Sequence, residues 1–251
     1  MINLKTNEWE INNIETVLFD KDGTFIDLHF FWGKMTELRA NEIIKAFNLE
    51  EKYFNELCLH LGYDVNTKKM LPNGITALYS RSKIIEIFKE DLKKYNVTTT
   101  NEKIAEIFDN ASNDFYKNMQ ENTKPIEEAI NFIKELRKKY ITIGIVTSDA
   151  KESTLKTLKQ FEWENLFDVV IGRESSQHTK ESGIPTQLAL AELKADPNST
   201  IMIGDAPMDY ISAKNAGIEK TILVATGQIN KETLKQTSPY TVNSLNEIEL
   251  F

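Results

Sequence analysis

Five short apolar runs rich in β-branched residues punctuate this chain: Thr16–Phe19, Ile141–Val146, Val169–Ile171, Thr200–Ile203 and Thr221–Val224. Each is short and apolar enough to be a strand covered on both faces, the pattern of parallel sheets. Most are followed by a helical pattern. Ahead of the second, Ile126, Ala129, Ile130, Ile133 and Leu136 keep helical spacing. Arg137-Lys138-Lys139 then suits a helix C-terminus, where cations meet the negative end of the dipole. Strand, helix, strand, repeated, predicts an α/β core with a doubly wound, Rossmann-like parallel sheet.

Between about residues 30 and 120 the texture changes. No convincing strand stands out, and helical stripes take over, one from Ile84, Ile85, Phe88 and Leu92, another from Ile104, Ile107, Phe108, Ala111, Phe115 and Met119. Leu71-Pro72-Asn73-Gly74 is a turn signal between helices. The expected organisation is a core from residues 1–28 plus 122–251, with an all-helical module, residues 29–121, inserted after the first strand.

Composition removes several classes. A chain of 251 residues with 41% apolar and 27% charged side chains has ample material for a core and is not globally disordered. No stretch approaches the ~18–20 apolar residues that span a bilayer. The first residues, Met1-Ile2-Asn3-Leu4-Lys5, lack a basic segment leading into an apolar run, so no secretion signal is expected. One cysteine forms no intrachain disulfide, which fits a reducing, cytoplasmic compartment. With 30 Lys+Arg against 38 Asp+Glu, the net charge of −8 argues against nucleic acid as a partner. A small phosphorylated metabolite held by local groups remains compatible with that field.

The most informative segment is Val17-Leu18-Phe19-Asp20-Lys21-Asp22-Gly23-Thr24. An apolar strand delivers Asp20 to its C-terminal end, the edge where open α/β sheets bind ligands, and Gly23 permits a sharp turn that gathers Asp22 beside it. Two carboxylates that close repel by about 4 kcal/mol at 4 Å with an effective dielectric near 20, so a cation must neutralise them or one must carry a proton. A solvated Asp-x-Asp-Gly turn is the ordinary reading of this segment alone. A calcium loop is excluded, because the positions that should hold Gly and an acid hold Phe25 and Phe31.

A second segment, Thr200-Ile201-Met202-Ile203-Gly204-Asp205-Ala206-Pro207-Met208-Asp209, repeats the design of a strand ending in a carboxylate with another acid just beyond. Parallel strands bring Asp205 to the same edge as Asp20, and oxygen ligands at two strand ends make a site for a hard cation such as Mg²⁺. Thr147 and Ser148 end a third strand ahead of a helix start, a natural place for phosphate. Lys180 follows a fourth strand and supplies positive charge, with Arg173 and Lys151 as substitutes.

Together these motifs resemble the haloacid-dehalogenase-like (HAD) hydrolase superfamily, in order and spacing: Asp20-Lys21-Asp22-Gly23-Thr24, then Ile145-Val146-Thr147, then Lys180, then Gly204-Asp205 with Asp209. The long first interval matches a helical cap of the C1 type, and the general look is phosphoglycolate-phosphatase-like. Two departures stand out. Pro185 comes later after the Lys than in many relatives, and Lys21 occupies a position that relatives commonly fill with an apolar or aromatic residue.

The resemblance implies a Mg²⁺-dependent phosphatase for a small phosphate monoester, as a monomer or homodimer. Asp20 would attack phosphorus to form an aspartyl-phosphate, and Asp22 would act as acid and then base. Mg²⁺ would be held by Asp20, the Asp22 carbonyl and Asp205. Thr147, Ser148 and Lys180 would hold phosphate oxygens, with Asp209 orienting the metal shell or Lys180. The cap would exclude water and read the leaving group, with Arg81 and Lys83 as candidates for an anionic substrate group. Asp22 favours phosphoryl transfer over carbon–halogen cleavage. A phosphomutase of the same fold, or a non-catalytic binding or regulatory member, are the competing readings. Cys58 reads as a core thiol, His29, His60 and His178 have no ligand spacing, and Asn246–Phe251 reads as a solvated helix end.

Overall fold

The computed structural model describes residues 1–251. The chain opens with β1 (Ile2–Lys5), β2 (Glu10–Ile14) and β3 (Thr16–Phe19), and the inserted stretch contains only the two-residue strands β4 (Tyr63–Asp64) and β5 (Lys69–Met70). Then come β6 (Thr142–Val146), β7 (Val169–Ile171), β8 (Thr200–Gly204), β9 (Lys220–Val224), β10 (Thr241–Val242) and β11 (Glu249–Leu250). By its contacts the chain separates into two compact units, Met1–Asp27 with Pro125–Phe251, and Leu28–Lys124.

The first unit is built on a six-stranded sheet in the order β10-β9-β8-β3-β6-β7, every pairing parallel. The chain leaves β3 toward β6 and β7, then crosses back to build β8, β9 and β10 on the other side. β3 therefore lies at the point where the winding reverses, the place where open α/β sheets form their ligand crevice. Its register is set on both sides, Phe19 pairing with Ile145 and with Ile203. Its four residues are all buried, and Leu18 packs in a cluster with Val146, Ile171, Met202 and Ala213.

The flanking helices follow from sequence pattern and charge. Helix Glu127–Lys138 begins with Glu127 and Glu128, ends with Arg137 and Lys138, and buries Ala129, Ile130, Phe132, Ile133 and Leu136. That arrangement matches the helix dipole at both ends. Helices Lys151–Gln160, Ile184–Leu193 and Pro207–Asn215 complete the set.

A second, three-stranded antiparallel sheet, β11-β1-β2, was not anticipated. Its strands are short and carry polar residues such as Asn3, Asn12 and Asn13, which hide the alternation. The C-terminal residues are not a solvated helix end. Leu245–Glu247 form one 3₁₀ turn, Leu245 and Ile248 are buried, and Leu250 pairs with Leu4.

The second unit is mainly helical, with its longest helices at Leu28–Phe47, Arg81–Asp91 and Asn101–Lys117. The expected stripes bury Ile84, Ile85 and Phe88 on one helix and Ile104, Ile107, Phe108, Ala111 and Phe115 on the other. The module is not all-helical, because β4 and β5 form a hairpin in which Tyr63 pairs with Met70. Two-residue strands are too short to leave a period in the sequence. Cys58 is fully buried, and burial pushes its thiol pKa up to about 12, as befits a core residue rather than a nucleophile. Arg81 pairs with Asp109, and Lys83 with Glu86, so both are engaged on their own unit's surface. No helix is long and apolar enough to cross a membrane.

Because Leu18 is fully buried on the central strand, Leu18→Ala should cost ~2–5 kcal/mol. At about 2–4 °C per kcal/mol, the expected loss in Tm is roughly 4–20 °C, measurable by calorimetry.

Candidate active site

The main chain continues the sheet one residue past β3, the Asp20 N–H donating to the Ile203 carbonyl at 2.8 Å. It then turns sharply. The amides of Phe25 and Ile26 both donate to the Lys21 carbonyl at 3.1 Å, and the Gly23 amide donates to Ile26 at 2.7 Å. Phe25 fixes this loop from below by stacking on Phe167 at 5.4 Å. Gly23 is required twice over. Its φ of +87° lies in the left-handed region, and a Cβ there would run into the Asp205 carboxylate.

Asp205 follows the last residue of β8, and the chain then enters helix Pro207–Asn215. Pro207 suits the first turn, where its missing N–H has no partner to lose. Asp209, in the same turn, accepts from the Ala206 amide at 3.0 Å through Oδ2. This is the carboxylate position that the helix N-terminus favours, so Asp209 is held rigidly by its own helix. From beyond β9, Thr226 donates its hydroxyl to the Gly23 carbonyl at 2.6 Å, and the next residue, Gly227, lies so close to Asp205 that a Cβ would overlap its carboxylate.

These elements bring Asp20, Asp205 and Asp209 together, each buried, with one carboxylate oxygen apiece within 4.8 Å of the others. The Lys180 Nζ lies 2.6 Å from Asp20 Oδ1 and 2.6 Å from Asp209 Oδ1. The ammonium that reaches Asp20 is thus that of Lys180, in the 3₁₀ turn Lys180–Ser182, and not that of Arg173 or Lys151. Burial works against the Lys180 charge, but Asp20 and Asp209 outweigh it and hold its pKa above the ordinary value. One lysine cannot offset three acids. Burial pushes Asp20 up to about 7 despite Lys180, with Asp209 and Asp22 adding to the rise. Burial, then Asp20 and Asp209, push Asp205 well above the ordinary carboxylate range.

Asp22 belongs to a second cluster. Its Oδ1 lies 2.6 Å from the Nζ of Lys21, which is fully buried and also sits 3.0 Å from Asp149 Oδ2. Burial opposes the Lys21 charge, yet Asp22 and Asp149 hold its pKa above the ordinary value. Burial would raise Asp149, but Lys21 and the Ser153 hydroxyl prevail and its pKa is lowered. The sequence reading missed this cluster, and the signal was available. Asp149 stands two residues beyond Thr147, at a strand end already singled out.

Thr147 is buried at the end of β6, its amide donating to Ile171 and its hydroxyl accepting from the Asp149 amide at 3.1 Å. Ser148 is exposed, its hydroxyl 3.5 Å from the Met208 sulfur. Both therefore stand at the edge that carries Asp20, since β6 is the direct neighbour of β3.

The donor set fits a hard divalent cation. Asp205 pairs with neither lysine, and Lys180 takes only Oδ1 of Asp20, whereas both oxygens of Asp209 are engaged, by Lys180 and Ala206. Buried carboxylate oxygens that lack a counter-charge are the ligands that Mg²⁺, Ca²⁺ or Mn²⁺ take.

The haloacid dehalogenase-like hydrolase family model matches residues 14–217. This chain belongs to that family. The HAD match extends to named relatives. The chain is 25% identical to pyrophosphatase PpaX of Halalkalibacterium halodurans over 94% of this chain and 95% of the relative. It is 27% identical to the PpaX of Bacillus anthracis over 88% of this chain and 89% of the relative. Its fold is similar to that of a predicted phosphoglycolate phosphatase from Haemophilus somnus, with TM-score 0.70, 15% identity and coverage of 94% of this chain and 96% of that one. A β-phosphoglucomutase from Clostridium difficile gives TM-score 0.63 at 19% identity, covering 93% and 92% of the two chains. The protein is an enzyme of this HAD group, a phosphohydrolase.

The raised carboxyls set the pH dependence of the HAD site without divalent ions. Their contribution to stability is complete below the ordinary Asp pKa near 4 and is lost as pH rises through about 7, the folded value of Asp20. Asp205→Asn removes one of the repelling charges. In EDTA, its Tm should exceed that of wild type by a few degrees at pH 8 and converge with it at pH 4, at ~2–4 °C per kcal/mol. Equal shifts at both pH values would contradict the repulsion.

Proposed function

We propose that this HAD hydrolase is a Mg²⁺-dependent phosphatase of a small phosphorylated metabolite, acting through an aspartyl-phosphate on Asp20. The observation that carries the reading is the buried meeting of Asp20, Asp205 and Asp209 with Lys180 at the point where the sheet reverses its winding. Hydrolysis of phosphate monoesters is among the slowest uncatalysed reactions, with enhancements reaching ~10²¹-fold, so most of the help must be positioning and charge neutralisation.

Asp20, the Asp22 backbone carbonyl and Asp205 would hold the metal. Bound there, Mg²⁺ supplies positive charge that offsets the meeting of an anionic nucleophile with an anionic phosphoryl group. Lys180, bonded to Asp20 through Oδ1, fixes the orientation of the carboxylate that attacks phosphorus. Lys180, Thr147 and Ser148 face the non-bridging oxygens, and Asp209, fixed by Lys180 and the Ala206 amide, keeps Lys180 in place. Asp22 gives a proton to the leaving oxygen, then takes one from the water that hydrolyses the intermediate. The inserted helical unit is assigned the role of a cap that selects the leaving group.

The PpaX relatives make inorganic pyrophosphate a substrate to test beside phosphate monoesters. The phosphomutase alternative rests on fold likeness and differs in releasing no phosphate.

Phosphate release from p-nitrophenyl phosphate, pyrophosphate and a panel of phosphorylated metabolites, with and without Mg²⁺, tests the reading. Activity should vanish in EDTA and return with Mg²⁺. Asp20→Asn should lower kcat by at least ~10⁴-fold, in line with the loss of a covalent nucleophile, and should abolish trapping of the acyl-phosphate. Full activity in that variant would end the assignment. Asp22→Asn should cost ~10²–10⁴-fold, most on poor leaving groups, as general acid–base catalysis requires.

A further inference from the structure

Lys21 lies between the two aspartates of the first motif, yet no part of it is exposed and its ammonium is shared between Asp22 and Asp149. A long cationic side chain is almost never fully buried without a specific partner set. Here the partners are themselves anchored. Asp149 Oδ1 accepts from the Ala150 amide at 2.7 Å, and Oδ2 accepts from the Ser153 hydroxyl at 2.7 Å, both at the start of helix Lys151–Gln160. The Asp149 amide in turn donates to the Thr147 hydroxyl at 3.1 Å. A continuous chain of contacts therefore runs from the helix N-terminus through Asp149 and Lys21 to the Asp22 carboxyl.

We infer that Lys21, seated on Asp149, is a positioning residue that fixes the Asp22 carboxyl for proton transfer to the leaving group. The inference rests on the acid–base role proposed for Asp22. The step it serves is balanced. Asp20 forms a bond to phosphorus, the bond from phosphorus to the leaving oxygen breaks, and the Asp22 proton moves to that oxygen. Asp22 is left as a carboxylate with an ammonium 2.6 Å from its Oδ1, and that contact stabilises the charge it gains. Before the step, Asp149 keeps Lys21 paired, so the lysine is compensated in both states. The arrangement also keeps the Asp22 side chain out of the cluster of Asp20, Asp205 and Asp209, since its Oδ1 is bonded to a different cation.

The test compares wild type, Lys21→Met, Lys21→Arg and Asp149→Asn, as full chains with Mg²⁺, on two substrates. An alkyl phosphate needs its leaving oxygen protonated, whereas p-nitrophenyl phosphate does not. Lys21→Met should lower kcat on the alkyl ester by ~10²-fold, the scale of a misplaced catalytic group, with KM nearly unchanged. The loss on p-nitrophenyl phosphate should be only a few-fold. Lys21→Arg should recover part of the alkyl-ester rate. If Lys21→Met does not fold, Asp149→Asn, which keeps the shape of the anchor, should show the same split in smaller measure. Equal losses on both esters, or no loss on either, would overturn the inference while an active wild type left the phosphatase reading intact. A wild type inactive on both esters, with no Mg²⁺-dependent phosphate release, would overturn the phosphatase reading and this inference together.

Discussion

Like charge at one end of one sheet is the constraint that organises this molecule. Asp20, Asp22, Asp149, Asp205 and Asp209 all stand beyond the C-terminal ends of neighbouring strands or in the turns that follow, and most are buried. Two buried lysines divide them. Lys21 takes Asp22 and Asp149, and Lys180 takes Asp20 and Asp209, which leaves Asp205 without a lysine. The surplus of negative charge is therefore concentrated on one side, among Asp20, Asp205 and Asp209, where one ammonium faces three carboxylates. Burial, together with the neighbouring carboxylates, accordingly raises the pKa values of Asp20 and Asp205.

The fold contributes position. β3 is central, so its end is flanked by the ends of β6 and β8, and its register puts Asp20 level with Val146 and Gly204, one residue short of Thr147 and Asp205. The loops then need unusual closeness, which is met by glycine. Gly23 and Gly227 both press backbone against the Asp205 carboxylate where any Cβ would collide. Asp209 is placed by a different device, the capping preference of its own helix start. Buried ion pairs of this kind are weak sources of stability, because desolvation consumes much of the attraction. Their value here lies in fixing which oxygen faces which cation.

Much of this was legible in the sequence for physical reasons. The central strands are apolar throughout because both faces are covered, so Thr16–Phe19 and Val169–Ile171 could be read to the residue. The helical stripes of Arg81–Asp91 and Asn101–Lys117 were visible because one face of each is buried. The meeting of Asp20 with Asp205 followed from two similar strand ends in a parallel sheet. The antiparallel strands β1, β2 and β11 stayed hidden because short, partly polar strands leave little period. Lys21 was legible only as a departure from the motif. Between two aspartates a lysine reads as a solvated neighbour, and only the approach of Asp149, distant in the chain, explains how it can be buried.

That burial changes how the first motif should be understood in this chain. An apolar residue between the aspartates would simply fill space beneath the loop. A lysine must be compensated, and compensation ties the loop after β3 to the loop after β6 through Asp149. The same Asp149 bonds Ser153 and the Ala150 amide, so the tie extends to the start of a helix. Removing one partner of such a set leaves an uncompensated buried charge, which typically costs about 3–5 kcal/mol. An exchange of Lys21 alone for an apolar residue is therefore unfavourable unless Asp149 changes with it. The two positions are therefore energetically coupled, although each also has a partner of its own, Asp22 for Lys21 and Ser153 for Asp149.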